Sequence, residues 1–231
     1  MEETLNSGLI DSAATSHSAA APDYVEYGYE GSGAPWNYYL WPAIRNVVSG
    51  REWPDRRAFD VGCGNGATAD MLSGLGFDVT AVDMSEQGIA IAQNAYPQIH
   101  ARVGNVYEDL KAQYGTFPLV VSLEVIEHCM YPRLLVKTFL SLIAPGGVGI
   151  LSTPYHGYWK NLALAVSGRM DQHFLPLWDG GHIKFFSIAT LRELLAEQGA
   201  QDVKFLRVGR IPALAKSMIA IVHSAANSGG N

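Results

Sequence analysis

Cysteine is scarce in this chain. Its 231 residues hold two, Cys63 and Cys129, too few for a disulfide framework, so a reduced, cytoplasmic setting is expected. Long apolar runs are missing too. No stretch approaches the roughly 18 residues of a transmembrane helix. The N-terminus lacks the basic region and apolar run of a signal peptide. A soluble protein is therefore expected. Charge is sparse and leans acidic, with 16 Lys and Arg against 22 Asp and Glu and a formal net charge of -6. Without a run of Lys or Arg there is no basic stripe for a phosphate backbone, which argues against nucleic acid as the main partner. A small-molecule partner is expected instead. No internal repeat is visible.

Apolar residues, at 48% of the chain, suffice for a buried core. The expected organisation is a single domain over residues 23–223. Flanking it are disordered tails at 1–22 and 224–231, rich in small and polar residues. Tyr24, Tyr27, Tyr29, Trp36, Tyr38, Tyr39 and Trp41 crowd the start of the domain. These rings either pack outside the sheet or cover a ligand. Ile44, Val47 and Val48 predict an amphipathic helix from Trp41.

The body alternates strand and helix. Strands are expected at Ala58–Val61, Asp78–Asp83, around Ala101–Val103, at Pro118–Leu123 and at Val148–Ser152. Helices are expected at Ala67–Leu75, after Ser85 as an N-cap, from Pro132 to Ile143 and from Ser187 to Gln198. Ala144-Pro145-Gly146-Gly147 reads as a turn. Alternation of this kind implies an α/β fold, a parallel sheet with helices on both faces. Val203–Val208 and Met218–His223 are joined closely enough for an antiparallel pair. The segment Tyr155–Phe186 breaks the rhythm with many aromatic residues plus His156, His173 and His182. It follows a strand end, where open α/β sheets bind ligands, and is expected to be an inserted, lid-like segment.

The most informative stretch is Phe59-Asp60-Val61-Gly62-Cys63-Gly64-Asn65-Gly66. A strand, a glycine turn and a helix form a nucleotide-binding arrangement whose backbone N–H groups are expected to face the ligand. With Ala67 in the last position, the glycine pattern also fits a dinucleotide, so NAD stays open at this level. Asp83, at the end of the second strand, stands where a ribose-binding carboxylate belongs; its bland alternative is a turn carboxylate. Asp60 would repel a pyrophosphate and attract a cationic amino group. That favours S-adenosylmethionine.

Asp60-Val-Gly62-Cys-Gly64-Asn-Gly66 resembles motif I of the class I S-adenosylmethionine-dependent methyltransferases, and Asp83 resembles their second-strand acid. Gly104-Asn105-Val106 stands where that family contacts adenine, with Asn105 in place of the common Asp. The resemblance implies a Rossmann-like, seven-stranded, mostly parallel sheet whose last strand is antiparallel. It implies cofactor contacts from Asp60, Gly62, Cys63, Gly64, Asp83, Met84, Asn105, Val106 and Leu123. A narrower resemblance rests on Glu124-Val-Ile-Glu127-His128 and Gly181-His182. It is to the O-methyltransferases of ubiquinone biosynthesis, and the same pattern resembles small-RNA 2′-O-methyltransferases. Both groups associate these positions with a divalent metal such as Mg2+.

Spacing supports that association independently. If residues 124–128 form a helical turn, Glu124, Glu127 and His128 share one face. Two carboxylates and an imidazole suit a divalent cation, and His182 would complete the set, with His173 as the competing ligand. His156 reads as a loop or substrate contact. The alternative is metal-free: Glu127 caps a helix and His128 acts as general base. The expected activity is O-methylation of a phenol or catechol-like hydroxyl. An NAD-dependent oxidoreductase and a non-catalytic cofactor-binding module are the competing classes.

Overall fold

The computed structural model describes residues 38–226 together with Gly28 and Gly31. The rings of Tyr24, Tyr27, Tyr29 and Trp36, the tail at 1–22 and all but the start of the tail from Ser224 lie outside those residues. Seven strands run in chain order as β1 (Arg57–Val61), β2 (Asp78–Asp83), β3 (His100–Val103), β4 (Phe117–Leu123), β5 (Ile143–Pro154), β6 (Asp202–Val208) and β7 (Ser217–His223). They form one sheet in the order β3-β2-β1-β4-β5-β7-β6. β1 to β5 pair in parallel, and β7 runs antiparallel between β5 and β6. This is the mostly parallel sheet with an antiparallel last strand that the sequence implied.

The helices α1 (Trp41–Ser49), α2 (Ala67–Ser73) and α3 (Glu86–Ala95) cover one face. On the other lie α4 (Leu110–Tyr114), α5 (Pro132–Leu142) and α8 (Ile188–Glu197). α6 (Tyr158–Val166) and α7 (Met170–Phe174) belong to the segment between β5 and α8. Strand alternation divides the core. Ala58, Val79, Ala81, Leu119, Val121 and Ile150 pack with the first layer of helices. Phe59, Val61, Val82, Val120 and Leu151 pack with the second. By the same alternation Asp60 shares the face of Ala58.

Local chemistry accounts for the helix ends. The Ser85 hydroxyl accepts from Gly88 N at 2.8 Å and starts α3. Ser187 and Thr190 form a capping box at the start of α8. Pro132 occupies the first turn of α5, where a missing N–H costs nothing.

Two expectations are corrected, and three short helices are added. Ala144–Gly147 is not a turn between elements but a bulge within β5. Phe117 pairs with Ile143 and Leu119 with Val148, so the intervening residues loop out of register, helped by Gly146 at φ 72°. α2 stops at Ser73 with Gly74 as its cap, two residues short of the expected end at Leu75. α4 and α7 are only five residues long and α6 turns most of its apolar side chains outward, so none of the three was legible in the sequence.

The segment 155–186 is pinched at its base. Tyr155 and Phe186 form an isolated parallel bridge, and His156 N donates to Phe186 O at 2.9 Å. The 32-residue excursion that the sequence marks as an interruption thus leaves and rejoins the body at one point.

Candidate active site

Two constellations meet at the C-terminal ends of the parallel strands. The first is the turn after β1. Gly62, Gly64 and Gly66 have φ of 77°, 54° and 81°, conformations that glycine adopts without a Cβ penalty. Space is also short: a Cβ on Gly62 would lie 2.6 Å from Val125, and one on Gly66 2.7 Å from Ala92.

The amides of this turn are committed within the protein. Gly62 N and Cys63 N donate to Val82 O at 2.8 and 3.0 Å, and Gly66 N to Cys63 O at 3.0 Å. Gly64 N donates to Asp83 Oδ2 at 2.7 Å and Ala67 N to Asn65 Oδ1 at 3.3 Å. The expectation that the loop N–H groups face the ligand is therefore corrected. These five amides form no cradle for a pyrophosphate, which counts against a dinucleotide. Their satisfaction makes the turn rigid before any ligand arrives.

Asp83 is held on both oxygens. Oδ2 takes the Gly64 amide, and Oδ1 accepts from Ser85 N at 2.8 Å. Each carboxylate oxygen has a second lone pair, so the group is oriented without being used up. Asp60 is different. It is buried, and its Oδ2 has no hydrogen-bond partner. Burial, aided by the charge of Asp83, pushes its carboxyl up to about 8. A buried acid with an orphaned oxygen fits a cationic ligand group that would restore its charge. Asn105 Oδ1 accepts from Tyr107 N at 2.9 Å, which fixes the side chain at the end of β3. Met84 is half-buried, while Cys63, Val106 and Leu123 are buried among core side chains. The Asn65 amide donates to Gly31 O at 3.0 Å and joins the turn to the preceding segment.

The second constellation follows β4. The expected helical turn over 124–128 is not there. Glu124 has φ 56°, left-handed for a side-chain-bearing residue, and a short 3-10 turn covers only Ile126–His128. Such a conformation costs about 1–2 kcal/mol. Polar contacts offset it: Glu124 N donates to the Ser152 hydroxyl at 3.0 Å, Oε1 accepts from Ser152 at 2.8 Å and Oε2 from Ser217 at 3.0 Å. Ser217 in turn lies 2.7 Å from the Tyr39 hydroxyl. Glu124 thus does not share a helical face with Glu127 and His128, contrary to the expected turn, and both its oxygens are taken by serines.

Glu127, His128 and His182 do converge. One ligand atom from each lies within 4.8 Å of the others. Glu127 is fully buried; its Oε2 accepts from Thr153 Oγ1 at 2.9 Å, while Oε1 has no hydrogen-bond partner and lies 4.0 Å from His182 Nε2. Burial, and then the neighbouring Glu124, push its carboxyl well up. His128 Nδ1 sits 2.8 Å from Gly180 O, so this nitrogen carries the proton and the neutral ring has its lone pair on Nε2. Burial lowers the pKa of both imidazoles, that of His182 to about 4. Neutral imidazoles and a buried orphaned carboxylate oxygen make a donor set for a divalent cation.

The segment 155–186 closes around this cluster. Glu127 O accepts from Ile183 N and Lys184 N at 2.8 and 3.0 Å. Trp178 stands edge-on to His128 at 5.8 Å and tilted toward His182 at 5.6 Å. His173 belongs to a different group, with His156, Phe174 and Phe185. Sequence reasoning missed Thr153, Ser152, Ser217 and Tyr39. Hydroxyls at the end of an otherwise apolar strand are the signal that could have found Ser152 and Thr153.

Among known proteins, a family model described as a methyltransferase domain matches residues 36–204. A curated relative from Xanthomonas axonopodis pv. citri, named ubiquinone biosynthesis O-methyltransferase, is 36% identical over 167 residues, which cover 69% of each chain. One of the same name from Psychrobacter cryohalolentis is 29% identical over 163 residues; the match takes in 66% of this chain and spans only 60% of the relative's length. Among solved structures, magnesium protoporphyrin IX methyltransferase from Synechocystis, crystallised with SAH, superposes with a TM-score of 0.62 at 19% identity over 80% of this chain and 82% of its own. At that identity the likeness speaks for the fold.

Proposed function

The chain belongs to the class I S-adenosylmethionine-dependent methyltransferase family, and from that premise we propose that it methylates a hydroxyl of a small, catechol-like acceptor with help from a divalent metal. The observation that carries this reading is Glu127 Oε1, a buried carboxylate oxygen without a partner, 4.0 Å from His182 and beside His128. A buried polar atom is rarely left unpaired, because an orphan costs about 1–3 kcal/mol. Glu127, His128 and His182 would hold the metal. Glu124, with both oxygens committed to serines, would act from behind by fixing the strand end.

On the cofactor side, Asp60 would take the amino group and Asp83 the ribose hydroxyls, with Asn105 presenting its amide to the base. When bound, S-adenosylmethionine supplies a methyl carbon whose bond to sulfur breaks as the acceptor oxygen takes it, leaving S-adenosylhomocysteine. A bound divalent cation would supply Lewis acidity toward vicinal oxygens. The protein's share is positioning and proton removal. His128 is held by Gly180 in the tautomer that accepts at Nε2. Trp178 and the burial of Glu127 restrict water. The ubiquinone-pathway names of the relatives agree with a phenolic acceptor.

A second reading has its own support. The fixed tautomer and lowered pKa of His128 suit a general base that needs no metal. Methyl transfer to a catechol, followed with and without chelator, separates the two. Loss in chelator and recovery with Mg2+ supports the metal. Full activity in chelator, with loss only in His128→Ala, supports the base.

A further inference from the structure

α6 is turned the wrong way round for an ordinary surface helix. Its sequence, Tyr-Trp-Lys-Asn-Leu-Ala-Leu-Ala-Val, holds one charged residue, Lys160, and that residue points inward at 7% exposure. Tyr158, Trp159 and Val166 point outward, 72%, 63% and 81% exposed. Taking an ammonium out of water costs several kcal/mol unless something compensates it.

The compensation present is slight. Lys160 Nζ donates to Lys216 O at 3.3 Å, and among the described residues no carboxylate lies within ion-pair distance of it. Glu124 is near enough to act on it electrostatically, but both Glu124 oxygens are taken by Ser152 and Ser217. The other charged or titratable groups acting on Lys160 or feeling its charge are Arg210, His156, His173 and His182. None of these is an anion. An ammonium has three donors, and one is used.

A second atom in the same place is also unpaired. His156, four residues before Lys160 and ahead of the helix, is buried, and its Nδ1 has no hydrogen-bond partner, although the Asn161 side chain also acts on the ring. Its ring stacks on Phe174 at 5.7 Å and meets Phe185 edge-on at 5.1 Å. Burial and the charge of Lys160 keep it neutral, with a pKa of about 4. A buried cation short of partners and, close enough to feel its charge, an orphaned ring nitrogen set against two phenylalanines thus lie in the segment that also carries His182.

We propose that Lys160 and His156 form an anion subsite that receives a carboxylate on the ring of the aromatic acceptor. The inference rests on the reading of the neighbouring cluster as the methyl-transfer site and names the class of its acceptor. One ammonium and one neutral imidazole balance one negative charge. That matches a carboxylate rather than a doubly charged phosphate. Phe174 and Phe185 would flank the ring that bears it.

The test compares protocatechuate with its uncharged amide, protocatechuamide. Binding of each is measured by calorimetry to the full chain in the presence of S-adenosylhomocysteine and Mg2+. The wild type is expected to bind the acid about tenfold or more tighter than the amide, the worth of one charge-assisted hydrogen bond. In Lys160→Met, which keeps the apolar stem, that ratio should fall to near unity while affinity for the amide and for S-adenosylhomocysteine stays at the wild-type value. Equal wild-type affinity for acid and amide overturns the proposal without any variant. So does a preference that survives in Lys160→Met, or a loss that falls on S-adenosylhomocysteine instead, which would give Lys160 to the cofactor. Turnover is read separately: if neither catechol is methylated, the catechol reading of the site fails, while the binding ratio still decides the subsite.

Discussion

The turn after β1 and the cluster after β4 lie at the same edge of the sheet but are finished to different degrees. In the first, five amides of the glycine turn and both oxygens of Asp83 are paired inside the protein. In the second, Glu127 Oε1 is buried without a partner, and in the adjoining segment 155–186 His156 Nδ1 is likewise unpaired and Lys160 has one long bond. A region whose polar groups are satisfied has one shape before and after binding. A region with orphaned groups holds free energy that a ligand can recover. On the proposed reading the cofactor side is thus preorganised, with Asp60 Oδ2 its unpaired atom, and the acceptor side would be completed by what binds there.

The sharpest way to break this contrast is Glu127→Gln. It keeps the shape and removes the carboxylate oxygen that a metal would take. Activity is expected to fall about 10²–10⁴-fold, the scale of losing a catalytic proton-transfer or metal-binding group, while affinity for S-adenosylhomocysteine is unchanged by calorimetry. A parallel loss of cofactor affinity would mean that the two regions are one site. Next in size is Asp83→Asn, which should weaken cofactor binding about 10–100-fold through a lost charge-assisted hydrogen bond and leave kcat at saturating cofactor close to wild type.

Asp60 gives a pH signature. Its carboxyl is held up at about 8 in the folded chain against an ordinary 3.8. Between those values the folded state keeps a proton that the unfolded state has released. Asp60's contribution to ligand-free stability is therefore complete at low pH and lost as pH rises through about 8. Glu124 and Glu127 add slopes of the same sign, so the informative quantity is a difference. Asp60→Asn should show a shallower fall in Tm between acid and alkaline buffers than the wild type, and weaker cofactor binding. A slope identical to wild type would contradict the orphaned carboxyl. The smallest effect is expected from His173→Asn, which should change metal-dependent activity by about threefold at most, since His182 and not His173 stands with Glu127 and His128. A larger loss in His173→Asn than in His182→Asn would exchange their roles.

The same contrast separates what could be read in the sequence from what could not. Strands β1, β2 and β4, the glycine turn and Asp83 are consecutive or nearly so, and their periodicity and turn chemistry are local. The parallel body followed from alternation and the antiparallel pairing of β6 with β7 from a short connection, whereas the seven-stranded sheet with an antiparallel last strand was what the family resemblance implied, and the strand order was not legible at all. Glu127, His128 and His182 were legible as residue types. The backbone that joins them was not, because Glu124 is held left-handed by Ser152 and Ser217, one 28 and the other 93 residues away. No local pattern contains those partners. Lys160 was invisible for a similar reason: the pattern of α6 puts its apolar side chains outward, and helix periodicity alone assigns such a face to the core.

The bridge between Tyr155 and Phe186 has a consequence for how such a chain can change. Because the segment between them begins and ends at one point, the body of the protein has already met the entropy of closing that loop. Lengthening it costs little, about 0.6 kcal/mol for each doubling, and the sheet registers on either side do not depend on what it contains. Changes in the length or content of 157–185 are therefore cheaper than changes in the sheet, except where Lys160, Ile183 and Lys184 bond to Lys216 and Glu127 of the body.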